Sequence, residues 1–135
     1  MALQLSVAVR NAMLDAIETT IGTSAVLKIR TGAAPASVAT ADSGTVLATL
    51  TLPSDWMAGA SSGSKAKSGT WEDASADAAG TAAHYRIYAS DGTTPHLQGT
   101  VTATGGGGDM TVDNVVFAAG QSFTITSYSW TAANS

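Results

Sequence analysis

Cysteine is absent from the 135-residue sequence, which excludes disulfides and thiolate metal sites together. Stability has to come from packing, hydrogen bonding or neighbouring subunits. Charge is scarce as well: Asp, Glu, Lys and Arg make up 12% of the chain, about half the usual share. Water must then be met by Ser, Thr, Asn, Gln and Gly, or by another protein, and that favours β surfaces and buried interfaces. The basic residues Arg10, Lys28, Arg30, Lys65, Lys67 and Arg86 are scattered, and the net charge is −4. No stripe tracks a phosphate backbone, so nucleic acid is not an expected partner. Long apolar runs are missing too. Nothing approaches the roughly 18 apolar residues of a membrane-spanning helix, so no membrane partner is expected. The opening MALQLSVAVRNAMLDAIETTIG is interrupted by Arg10, Asn11, Asp15 and Glu18. It reads as the start of a soluble mature chain and not as a secretory signal.

What is present fits one domain over residues 1–135, long enough to bury roughly two thirds of its unfolded surface. An amphipathic helix is expected over residues 7–21, where Val9, Met13, Ile17 and Ile21 recur at i+4 spacing beside Ala12 and Ala16. Ser6 can cap its start and Gly22 its end. The apolar stripe suits packing on the chain's own sheet, or an oligomer or docking contact. After Gly22 the period changes to two, opening a β-rich module over residues 25–131. Ala25, Leu27 and Ile29 alternate with Val26, Lys28 and Arg30, which predicts one buried and one partly wetted face. A second strand, Val46 to Leu52, stops at Pro53. Residues 54–80 read as a long loop region with one short strand around Lys65 to Trp71, anchored by Trp56 and Trp71 at its ends. Loops this long are uncommon in compact domains unless they bind something. A hairpin is expected over Ala82 to Thr102, with Asp91-Gly92 at its turn. The four glycines Gly105 to Gly108 then lead into MTVDNVVF. In SFTITSYSW, Phe123 and Ile125 share a parity that Tyr128 and Trp130 do not, so a bulge near Thr126 or Ser127, or cover on both faces, is required. The fold class is all-β with one N-terminal helix, an antiparallel sandwich or partly open barrel.

No motif supplies catalytic chemistry. Gly59-Ala60-Ser61-Ser62-Gly63 fits G-x-S-x-G, but the nucleophile elbow needs a strand before it and a helix after it in a large α/β sheet. Ser61 is read as a loop serine. His84 and His96 share an outward parity and could approach across the hairpin, yet two imidazoles make a poor metal site. Glu72, Asp73 and Asp77, or Asp109 and Asp113, do not follow the calcium-loop pattern. Gly105 to Gly108 precedes Asp109 and a strand, where a phosphate loop would precede a helix. The run reads as a connection, or as a place where another backbone comes close. No enzyme activity, catalytic residue, cofactor or metal is expected.

The segments LKIRTGAAPAS, SGTVLATLTLP, GTAAHYRIYASDGTTPHLQGTV and GGGGDMTVDNVVFAAGQSFTITSYSW resemble a family of small structural proteins of tailed bacteriophages and prophages. The likeness runs from Leu3 to Trp130, and the DNxxxxAGQ pattern from Asp113 to Gln121 is its most specific part. The resemblance implies a non-enzymatic virion protein, made in the bacterial host cytoplasm, and a capsid decoration or cement protein on the outside of the head shell first among them. Tail, collar or fibre-attachment subunits are the alternative, as is a carbohydrate-binding adhesin module. Expected partners are the major capsid protein or other virion proteins and further copies of the chain, for example in a trimer. The residues singled out for contact are Val9, Met13 and Ile17 on the helix, with Trp56, Trp71, Tyr88, Tyr128 and Trp130 from the β module.

Overall fold

The computed structural model describes residues 3–132. Among these residues one helix, α1 (Val7–Ile21), precedes eleven strands, and the sheets curl into a half-barrel. Five strands, β1 (Val26–Arg30), β2 (Val46–Thr51), β6 (His84–Tyr88), β7 (Pro95–Ala103) and β8 (Met110–Val112), form one sheet in the order β2-β1-β6-β7-β8. Three two-stranded ribbons complete the molecule. They pair β3 (Ser64–Ala66) with β11 (Ser129–Thr131), β4 (Trp71–Asp73) with β10 (Phe123–Ile125), and β5 (Gly80–Thr81) with β9 (Val116–Phe117).

Helix α1 has the expected bounds because both signals act where they stand. The Ser6 side chain accepts from Val9 N, and Gly22, at φ +94°, donates its N–H to the Glu18 carbonyl. The β1 alternation also places Ala25, Leu27 and Ile29 fully inside. The opposite face, expected to be partly wet, is covered: Val26 and Arg30 are buried, as are His84, Arg86 and Tyr88 of the paired strand β6. The segment 31–45 lies over it.

The region 54–80 is no open excursion. Trp56, Met57, Trp71 and Ala76 are buried in the core, and the region contributes β3 and β4, which overlap the two ends of the single expected strand in place of one continuous strand. At residues 61–64 the backbone closes a tight hairpin in which Ser61 and Ser64 exchange N–H···O bonds. Ser62 and Gly63 both have positive φ there, +53° and +74°, the geometry of a type I′ turn.

The parity break after Ile125 resolves as two strands in two different ribbons. β10 pairs with β4, the chain leaves the ladder at Thr126 and Ser127, and β11 pairs with β3. The glycine run has a steric reason. β7 and β8 are parallel, Val101 opposite Met110, so the chain must double back within a few residues. It does so against its own strand: a Cβ on Gly106 or Gly108 would lie within 2.9 Å of the Thr102 side chain. Thr102 Oγ1 accepts from Gly108 N, and Asp109 accepts from Thr100 N.

Candidate functional site

The aromatic residues expected at a contact surface make the centre of the core. Trp56 packs on Trp71 and Trp130 with ring centroids 6.0 and 5.6 Å apart, and Tyr128 packs on Trp71 and Tyr85. Polar edges are satisfied internally. Trp56 Nε1 donates to the Gly22 carbonyl, Trp71 Nε1 to the Ser68 carbonyl and Trp130 Nε1 to Tyr128 Oη. The Tyr85 and Tyr128 hydroxyls meet at 2.7 Å. Trp56, Trp71 and Tyr128 are therefore corrected from contact candidates to core residues, Trp130 is half-buried against them, and Tyr88 is buried on the other face of the sheet beside Asp42 and Arg30. Their hydrophobic area was the sequence signal for importance, and the same area drives them inward.

The helix divides differently. Along the expected row, exposure is 46% at Val9 and 50% at Met13, Ile17 is partly buried against the core and Ile21 is 5% exposed, so the row runs obliquely off the module. Ala12, Ala16 and Thr20 are exposed beside it. Met13, Ala16, Ile17, Thr20 and Ile21 line a shallow apolar groove that ends at His96. The inward side carries Leu14 and Ile21 together with polar residues that the periodicity had set apart. Asn11 accepts from Gly63 N, Asp15 from Ala60 N, and Glu18 from Met57 N. Lys65, only 2% exposed, joins them with Nζ 2.7 Å from Asp15 and 3.0 Å from Glu18. The Lys65 bond, then the Ala60 N–H, hold the Asp15 carboxyl below its ordinary range. Burial pulls the Lys65 ammonium down, but its bonds to Asp15 and Glu18 outweigh this and raise it. The helix is thus fastened by its polar side and displays part of its apolar side.

A second polar cluster lies on the sheet. Asp42 accepts from Arg86 Nη1 at 2.8 Å, Tyr88 Oη at 2.7 Å and Arg30 Nη2 at 3.0 Å. Arg86, 1% exposed, also donates to the Ser37 and Thr40 carbonyls and to Gln98 Oε1. Burial works against the Asp42 carboxylate, but the Tyr88 bond and the Arg30 and Arg86 charges win and lower its pKa. The scattered Lys28, Arg30 and Arg86 gather here, because residues of one parity on paired strands share a face. Lys28 Nζ stands 5.0 Å from the Tyr88 ring centroid.

His84 and His96 are not brought together. His84 pairs with Thr100 at one end of the β6–β7 ladder and is buried, its Nδ1 donating to the Gly32 carbonyl at 2.7 Å; His96 lies at the other end and is exposed. Among the described residues no group of three or more His, Asp or Glu could hold a metal ion. No helix is long and apolar enough to cross a membrane, again among the described residues. Comparison of the chain with protein families, curated proteins and solved structures returns no match. The site is therefore defined by geometry alone: an exposed apolar helix row beside a groove, and a cationic sheet face under segment 31–45.

Proposed function

We propose that this chain is a non-enzymatic structural protein of a tailed-phage particle, and that it decorates the outside of the head shell. The observation that carries a contact role is the row Val9, Met13 and Ile17. It is presented on a helix that ion pairs and backbone-capping bonds fasten to the β module. A fastened helix loses little further freedom on docking, so its apolar row contributes to binding with a small ordering cost. The sequence resemblance supports an address in a particle, and the low charge suits a surface that meets protein over much of its area. On a repeating lattice, many weak contacts of this kind add through avidity.

The test is to mix the purified protein with shells lacking it and locate it by cryo-EM. The expected result is ordered density on the outer surface, with α1 at the contact. The double variant Val9→Asp, Met13→Asp is expected to keep its circular dichroism and lose shell binding at least tenfold. Absence of the chain from purified particles, or undiminished binding by the double variant, overturns the reading.

A further inference from the structure

We infer that segment 31–45 is a detachable strap, and that the Arg30–Arg86 face beneath it is a binding site for an extended acidic peptide segment of a partner protein. This does not rest on the virion reading. No residue from 31 to 45 is buried, so the strap adds nothing to the hydrophobic core. It is held by polar bonds of one polarity. Among the described residues, each side-chain bond between face and strap runs from a donor on the sheet to an acceptor on the strap. Arg30 donates to Asp42 and the Gly44 carbonyl, and Arg86 to Asp42 and the Ser37 and Thr40 carbonyls. His84, Tyr88 and Gln98 donate to the Gly32 carbonyl, Asp42 and the Pro35 carbonyl. The face is built to receive a chain of carbonyls carrying a carboxylate.

The strap fills that role incompletely. Two buried guanidiniums share one carboxylate, Asp42, whose side chain is 39% exposed. Arg30 Nε is buried without a hydrogen-bond partner. A second carboxylate would therefore be favoured by an uncompensated buried charge and a free donor. Entry is available where Val38 to Asp42, Arg86, Thr93 and Pro95 line a groove of about 650 Å3 at the strap's margin. Both strap ends are tied, Thr31 N to the Thr45 carbonyl and Thr45 N to Thr31 Oγ1, so it opens as a loop without unpairing β1 from β2. Guanidiniums suit this exchange, since their planar forks take a carboxylate bidentately.

The experiment combines limited proteolysis by elastase, which cuts after small residues such as Val38 and Ala39, with titration by hexaglutamate. In Asp42→Asn, cleavage within the strap is expected to accelerate at least tenfold and hexaglutamate to bind at least tenfold tighter than to the unaltered protein. Hexaglutamine should not bind, and adding Arg30→Gln to Asp42→Asn should abolish the gain. Unchanged cleavage, or faster cleavage without tighter hexaglutamate binding, overturns the proposal. If Asp42→Asn does not fold, the unaltered protein is titrated instead. Hexaglutamate must then accelerate cleavage in 31–45 and nowhere else, and no acceleration refutes the exchange.

Discussion

At the scale of single residues, Lys65 shows how burial and charge are reconciled. Its ammonium lies inside the molecule, where an unpaired charge would cost several kcal/mol, and it is met by Asp15, Glu18 and the Ala58 carbonyl. Lys65→Met keeps the volume and leaves two carboxylates short of a donor. The expected loss is roughly 2 kcal/mol, the scale of charge-assisted hydrogen bonds, read as a lower urea midpoint. Lys67→Met is the contrast: among the described residues Lys67 Nζ donates only to the exposed Gly69 carbonyl, and it stands over the Trp71 ring. Its change should stay within about 0.5 kcal/mol. Because the Asp15 carboxyl is held below its ordinary value, its contribution is present above about pH 4 and lost as pH falls through the lowered value.

Among the elements, α1 carries the sharpest contrast between two sides. Leu14 is buried and Val9 is half exposed, although both are apolar residues of one helix. Leu14→Ala should cost about 2–5 kcal/mol by cavity formation and lost transfer energy. Val9→Asp should cost little, since water already reaches the site and the first helical turn tolerates an acid. Thermal melts of the two variants check this. Equal losses would mean that the outward row is packed in solution. The i+4 row was visible in the sequence, but its direction was not. Spacing places Val9, Met13, Ile17 and Ile21 on one side of a helix, and Arg10, Asn11, Asp15 and Glu18 on another. Which side faces the module depends on Lys65 and the 57–63 backbone, 39 to 52 residues away.

At the scale of the whole molecule, all three tyrosines are tied to the fold. Burial raises the pKa of each: Tyr85 and Tyr128, which share a hydroxyl contact, and Tyr88, which bonds Asp42. The neutral phenols are thus preferred in the folded state. That preference is fully present below about pH 10, the unfolded value, and is lost as pH rises above it. Phenolate absorbance should therefore stay flat past pH 10 and then appear in one step together with loss of near-ultraviolet dichroism. A gradual rise at pH 10 with the fold intact would contradict the burial.

The sequence by itself determined the fold class, the bounds of the helix, the edges of β1 and the hairpin of β6 with β7. Those follow from local physics: period 3.6 or 2, a serine that caps, a glycine that accepts positive φ, a proline that ends a strand. Only the tertiary structure decided which surfaces face water. Trp56, Trp71 and Tyr128 have the composition of a binding face and became core, because ribbons β3–β11 and β4–β10 close over the sheet from distant parts of the chain. The His84, Arg86 and Tyr88 side has the alternation of a wet face and is covered, because one carboxylate, Asp42, draws a loop across it. Burial is set by contacts between segments far apart in sequence, and alternation reports only that two faces differ.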